Sequence, residues 1–213
     1  MSLRLPPGFR AETRTEVRRS RFVATLARVD SEEAARAVIA EVRHRYPDAR
    51  HHCTAFVVEA SGRQPVERSN DDGEPSGTAG RPMLAVLTGR GLTQVVAVVT
   101  RWFGGVKLGT GGLTRAYAGA VEDALAGVRL LRAIELPEHV VAVSVGDGVR
   151  VEAELRRRGA RMLGASYGAE AELTVAAPWP PGELADVVAQ LTGGRGSVAA
   201  SGSTVVVEED AGA

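Results

Sequence analysis

Residues 101–115 read RWFGGVKLGTGGLTR, and how the backbone passes through them sets the fold around them. A β-branched run, Val95 to Thr100, leads in, and a helical pattern opens near Leu113. Five glycines, Gly104, Gly105, Gly109, Gly111 and Gly112, fill the join. Glycine admits φ > 0 and lets the backbone approach a ligand closely. A glycine-rich turn entering a helix also points unpaired N–H groups outward, which suits an anion. Arg101, Arg115 and Lys107, the single lysine of the chain, place three cations around that turn. Arg115 falls in the first helical turn, where the macrodipole disfavours a cation, and no carboxylate follows on that helix before Glu122. It therefore calls for an acidic neighbour or an acidic ligand.

Neither common phosphate motif fits. A nucleoside-triphosphate loop needs G-x-x-x-x-G-K-[ST], yet Lys107 stands between Val106 and Leu108. A dinucleotide fingerprint needs glycine at position 114, which is Thr114.

Outward from this segment the pattern is mixed α and β. Thr15 to Val17 and Arg21 to Leu26 read as strands, and a helix from Ser31 to Tyr46 follows, capped by Asp30 with Glu33 completing a capping box. Its apolar face is Ala34, Ala35, Val38, Ile39 and Val42, and Pro47 ends it. His52 to Glu59 is a strand and Gly62 to Arg68 a hairpin tip. Ser69 to Arg81, SNDDGEPSGTAGR, is a turn-rich loop of the kind that carries function on a rigid scaffold. Met83 to Leu87 reads as a short helix entered through Pro82, and Gln94 to Arg101 as a strand buried on both faces. The helix after the glycines carries the stripe Leu113, Tyr117, Val121 and Leu125, with Arg115 off it. Beyond Pro137 come a strand (Val140 to Val145), a helix (Val149 to Arg158), two strands (Arg161 to Tyr167, Ala169 to Ala176), a helix (Pro181 to Leu191) and a strand (Val198 to Val207). That order, βαββαβ, is ferredoxin-like. Glu208 to Ala213 reads as a solvated tail.

Composition narrows the classes. No apolar run approaches the ~18 residues that span a bilayer, and the N-terminal stretch has no apolar signal core. Cys53 is the single cysteine, which excludes an internal disulfide and suits a reducing cytoplasm. The net charge is zero, with 18 Lys+Arg against 14 Asp+Glu in residues 1–128 and 8 against 12 in residues 129–213. An asymmetry of that size does not name nucleic acid unaided.

Two segments resemble the IMPACT/YigZ family. One is Asp71-Asp72-Gly73-Glu74-Pro75-Ser76-Gly77-Thr78-Ala79-Gly80 followed by Pro82. The other is Thr100 to Gly109 with Gly111-Gly112-Leu113 and Arg115-Ala116-Tyr117. Ser20-Arg21-Phe22 and Ala49-Arg50-His51 fit as well, and the resemblance covers residues ~15–128. Trp102 departs from it, where an aromatic such as tyrosine is usual. The resemblance implies an N-terminal domain of the ribosomal-protein-like βαβ class with a left-handed crossover, over residues 1–132. It also implies a second small domain, over residues 133–213, similar to the fifth domain of elongation factor G. It further implies a cytoplasmic protein linked to translation, eukaryotic relatives that bind a ribosome-associated activator of a translation-regulating kinase, and no catalytic residues to carry over.

The remaining constellations are weaker. Asp71, Asp72 and Glu74 have the chemistry of metal ligands or of an acid–base pair, but the spacing is not that of an EF-hand, and pairing with Arg101 or Arg115 is expected. His51, His52 and Cys53 are adjacent, yet successive strand residues face opposite sides and no second ligand pair exists, so no metal is expected. Ser76 lies outside a G-x-S-x-G elbow. Trp102 and Phe103 are the aromatics beside the basic loop, where bases stack, and Phe103 is read as core. Arg156, Arg157 and Arg158 read as a solvated helix end.

With what the resemblance implies, the expectation is a cytoplasmic, translation-associated binding protein of the α+β class, non-enzymatic, without cofactor or membrane segment. Arg101, Gly104, Gly105, Lys107, Gly109, Gly111, Gly112 and Arg115 form its anion-binding loop, with Asp71, Asp72, Glu74, Ser76 and Thr78 adjacent. RNA, the ribosome or an acidic protein segment is the expected partner. The alternative is an enzyme binding a nucleotide or phosphate ligand through the same loop pair, with Asp71 or Asp72 as base or metal ligand.

Overall fold

The computed structural model describes residues 2–59 and 64–209, with side chains described up to Thr204. The chain divides into two compact units, one running to Arg132 and the other covering Ala133–Val207.

The first unit is a five-stranded sheet in the order β2-β3-β6-β4-β5, formed by β2 (Arg10–Val17), β3 (Ser20–Arg28), β6 (Val95–Trp102), β4 (His51–Val58) and β5 (Val66–Asn70). Every neighbouring pair is antiparallel. Strands β3 and β4 therefore run parallel with β6 between them, and helix α1 (Glu32–Arg45) crosses from one to the other. The central strand β6 is buried on both faces. Val95, Ala97 and Val99 meet α2 (Gly80–Gly89) and α3 (Thr110–Leu125), while Val96 and Val98 meet α1. This is the physical content of its near-continuous apolar run.

Several ends differ from the sequence reading. Strand β2 is eight residues long because register with β3 runs from Val17↔Ser20 to Arg10↔Ala27, and its alternating polar residues hide that length. Helix α1 is capped by Ser31, whose side chain accepts from Ala34 N at 3.1 Å, and not by Asp30, which pairs with Arg28. Helix α2 starts at Gly80, ahead of Pro82, because a carboxylate from outside the helix caps it. The Gly62 to Arg68 hairpin tip lies partly outside the described residues, and from Val66 onward this stretch is already strand β5. A short strand, β1 (Ser2–Arg4), was not expected; it hydrogen-bonds to β7 (Leu131–Val143), which runs on from the first unit into the second.

The second unit follows the ferredoxin-like order β10-β7-β9-β8, with β8 (Arg161–Tyr167), β9 (Ala171–Ala176) and β10 (Ser197–Glu209) beside β7. The β7–β9 and β8–β9 pairs are antiparallel. Because β1 joins at β7, the sheet has five strands rather than the four the second half supplies. Pro137, read as punctuation, lies within β7. It stands just before the first β7–β9 pair, Glu138↔Ala176, and its carbonyl accepts from Ala177 N at 3.0 Å. Helix α4 (Val145–Arg157) begins four residues earlier than its pattern indicates, since Ser144 caps it while Gly146 and Gly148 lower the local propensity. A Cβ at Gly148 would stand 2.8 Å from Ala171 Cβ and 2.9 Å from Tyr167 Cε1, so glycine there permits the helix to pack on the sheet. Helix α5 (Pro181–Thr192) ends at Gly193 in the left-handed region, φ 63°. The expected tail at Glu208 is still strand in β10, and residues 210–213 lie outside the described residues.

Candidate functional site

At the end of β6 the chain must leave the sheet, pass the β2–β3 hairpin and enter α3. The glycines divide this work. A Cβ at Gly104 would stand 2.0 Å from the backbone carbon and oxygen of Arg19, so this residue packs against the hairpin turn and has no room for a side chain. Gly105 (φ 85°) and Gly109 (φ 71°) occupy the left-handed region. Gly111 and Gly112 have ordinary helical φ and lie in the first turn of α3. Gly109 is the N-cap and supplies no side-chain hydrogen bond, and the first turn carries no acidic residue. Leu113 N closes on Gly109 O at 2.9 Å, so the amides of Thr110, Gly111 and Gly112 precede the first intrahelical bond.

The acidic loop reaches this helix start through one residue. Glu74 is buried, its side chain only 4% exposed, and Oε1 accepts from Arg101 Nη1 at 2.6 Å and from the Tyr117 hydroxyl at 2.7 Å. Arg101 Nη2 donates to Ser20 Oγ at 3.1 Å, and that oxygen also accepts from Gly104 N at 3.2 Å. One buried cluster therefore ties the hairpin, β6, the acidic loop and α3 together. Sequence reasoning placed Tyr117 on the core stripe, where it does lie, but gave no sign that its hydroxyl would reach Glu74. Burial and the Glu74 carboxylate push the Tyr117 hydroxyl up, so it stays protonated and donates.

The other predicted acids do different work. Asp71 accepts from Gly77 N (2.7 Å), Ala79 N (3.0 Å) and Gly80 N (2.8 Å), which makes it the cap of α2. Burial raises its carboxyl, but those three amides and Arg81 outweigh this and hold it below the usual aspartate value. Asp72 receives Arg43 Nη2 at 2.7 Å and His52 N at 2.6 Å. Thr78 is buried and donates to Pro75 O, while Ser76 is exposed. The expectation that Asp71 and Asp72 meet the loop cations is thus corrected. Their hydrogen bonds go to backbone amides and, for Asp72, to Arg43 of α1.

Of the two alternatives for Arg115, an acidic neighbour is not what the fold supplies. The residue is exposed and lines a hollow with Val17, Arg18, Leu108, Gly112 and Ala116, and among the described residues no carboxylate pairs with it. Lys107 is exposed and likewise unpaired among the described residues. It faces a cleft of 490 Å³ with Arg50, His51, Glu74, Arg101, Phe103 and the α3 start. Arg50 and His51 were noted only for family likeness and adjacency; the β4–β6 register, with His51 opposite Arg101, brings them here. Phe103 is not core. It is 48% exposed on the cleft, because the chain has already left the sheet. Trp102 is committed elsewhere, its ring under Arg21 at 3.9 Å and its indole N–H donating to Asp48 at 2.9 Å.

Cys53 lies beneath this region with no exposure, donates to Asp71 O at 3.0 Å, and burial pushes its thiol up to about 12. It is a small apolar core residue. His51 Nδ1 lies 2.8 Å from Asp72 O and His52 Nε2 lies 3.0 Å from Tyr46 O, so the two rings go to separate places. Burial lowers His52, which favours its neutral form. Among the described residues no group of three histidine, cysteine or acidic side chains is placed to hold a metal ion. No helix there is long and apolar enough to cross a membrane.

This chain is similar to known proteins over most of its length. Residues 18–125 match the Impact N-terminal domain. It is 42% identical to the IMPACT family member YigZ of Escherichia coli (strain K12) over 163 residues, covering 76% of this chain and 80% of that one. It is 47% identical to the IMPACT family member YvyE of Bacillus subtilis (strain 168), over 51% of this chain and 49% of that one. A crystal structure described as that of a hypothetical protein aligns over 94% of this chain and 98% of its own, at 37% identity and a TM-score of 0.64. The matched segment contains the acidic loop, the glycine turn and α3 together, and on these likenesses the chain belongs to the IMPACT family.

Proposed function

We propose that this protein acts in translation or its regulation as a non-enzymatic binding module, and that the cleft at the start of α3 holds a phosphate group of RNA. One observation carries the reading. The glycine N-cap leaves the first-turn amides of α3 without a side-chain cap, and Lys107 and Arg115, exposed and unpaired among the described residues, flank that turn from either side. Helix-start amides and cations together are the chemistry of anion binding. A compact ammonium serves as a point charge, and a guanidinium can grip phosphate with two donors. The link to translation rests on the family resemblance. The alternative of an enzyme loses its carboxylates, since Asp71 caps α2 and Asp72 binds Arg43 and the β4 backbone.

Equilibrium titration of RNA fragments at several salt concentrations tests this. Replacing Lys107 and Arg115 by alanine is expected to weaken binding alike across sequences. The slope of log affinity against log salt should shrink by roughly 0.7 for each single-strand phosphate that the variant no longer neutralises. Replacing Arg156 and Arg157 serves as the control, because their guanidiniums already pair with Glu152 and Glu154. Absence of salt-dependent binding by the wild type overturns the RNA reading. Equal losses from both pairs of substitutions would replace a site with a diffuse field.

A further inference from the structure

The cleft holds more than an anion requires. Beside the helix start and Lys107 it presents an aromatic ring, Phe103, nearly half exposed, with the Arg101 guanidinium 5.7 Å from the ring centroid. An aromatic face so placed is open to stack on a planar ligand. The ring is also held in place from both sides. Trp102 before it is clamped by Arg21 and Asp48, and Gly104 after it is pressed against the Arg19 backbone.

One buried polar atom of a cleft-lining residue also lacks a partner. Arg101 is 6% exposed at its side chain, and its Nε has no hydrogen-bond partner. Glu74 is 4% exposed, and both hydrogen bonds it accepts, from Arg101 and Tyr117, fall on Oε1. Oε2 takes neither of these bonds, so the carboxylate keeps an oxygen that can accept from a ligand. A bare phosphate uses neither the ring nor the carboxylate, and phosphate would be repelled by the second. A nucleotide uses the ring and the carboxylate as well as the cations. Its phosphate suits the α3 amides and Lys107, its base has a face for Phe103, and its ring or amino N–H groups suit a carboxylate oxygen.

We infer that the cleft takes a whole nucleotide unit with its base unpaired, the base stacked on Phe103 and the phosphate at the start of α3. This deepens the phosphate reading above and rests on it for the position of the phosphate. The same chemistry is offered by an unpaired RNA strand and by a free nucleoside monophosphate. A base inside a duplex has no free face, so paired RNA does not fit.

The test compares octa-adenylate, adenosine 5′-monophosphate and an RNA duplex on wild type, Phe103→Ala, Phe103→Leu and Phe103→Trp, each at several salt concentrations. Phe103 is exposed, so these variants are expected to fold, and circular dichroism checks it. The inference expects Phe103→Ala to weaken octa-adenylate by about 5- to 150-fold, the range for loss of one base–aromatic stack, with the salt slope unchanged. Tryptophan should preserve binding, and leucine, which keeps bulk without a π face, should not. Octa-adenylate binding well above the monophosphate assigns the cleft to a strand, and equal binding assigns it to a free nucleotide. If leucine binds like wild type, or if the duplex binds as tightly as the single strand, stacking is overturned while salt-dependent phosphate binding stands. Phe103-dependent binding of the monophosphate with no RNA binding would keep the nucleotide inference and discard the RNA reading.

Discussion

Glycines of one motif do unlike things, and single substitutions separate them. Gly104 has no space, since a Cβ would lie 2.0 Å from Arg19 backbone atoms that cannot move without opening the hairpin. Gly104→Ala is therefore expected to cost at least the ~1–3 kcal/mol of overpacking. Gly111 has helical φ, and a Cβ there meets only the end of the Arg115 side chain at 3.5 Å. Gly111→Ala should be neutral or add up to about 1 kcal/mol through helix propensity. Urea unfolding of both variants checks the contrast, and equal effects would refute the division. Cys53 gives a second prediction at this scale. With no exposure and a thiol pushed up to about 12, it should resist iodoacetamide at pH 8 in the folded protein and react freely once denatured. Alkylation of the folded protein at the unfolded rate would show the burial to be wrong.

Among the elements, α2 is the one whose stability is most open to measurement. Its N-cap residue, Ala79, has no side-chain bond to offer, and Asp71 caps the helix from the preceding loop. Asp71→Asn should cost about 1–2 kcal/mol at neutral pH, in the range for removal of a cap. The pH dependence has a definite sign. The folded-state pKa of Asp71 lies below the unfolded value near ~3.9, so its contribution is complete above that pH and fades as pH falls through the folded value. The gap between wild type and variant should therefore close in acid; a gap constant down to about pH 2 would remove the charge from the account. The same element shows where the sequence could be read and where it could not. Periodicity gave the apolar face of α3 and the double burial of β6, because those patterns are local. The start of α2, the partner of Glu74 and the exposure of Phe103 depend on residues distant in sequence meeting in space. Pro137 does not end a strand, because proline breaks one only where a backbone N–H is needed for pairing, and here β7 passes through it. At the site, the pairing of an acidic-loop carboxylate with Arg101 was legible, and Glu74 makes it. The roles of Asp71 and Asp72 were not, since a carboxylate near a turn reads the same whether it meets an amide or a cation.

At the scale of the whole molecule, two sets of buried residues stand apart in composition. The first unit packs both faces of its sheet, around Phe22, Met83 and Tyr117 on one side and Val42 and Val98 on the other. The second has its own core of Val141, Leu155, Leu173, Leu184 and Val188. The change of unit at Arg132 and Ala133 falls inside strand β7, not in a linker, so protease susceptibility is a poor reporter of it. Fluorescence is a better one, because each unit contains one tryptophan, Trp102 in the first and Trp179, packed on the second core, in the other. Leu173→Ala empties a fully buried site and should cost about 2–5 kcal/mol. Breaking the buried pair with Glu74→Ala should cost about 3–5 kcal/mol in the first unit, since it strands the Arg101 charge. If the units unfold independently, Leu173→Ala lowers the urea midpoint read by Trp179 in a Trp102→Phe background. It leaves the midpoint read by Trp102 in a Trp179→Phe background unchanged, and Glu74→Ala does the reverse. A shift of both reporters together by either substitution would mean that the two units unfold as one.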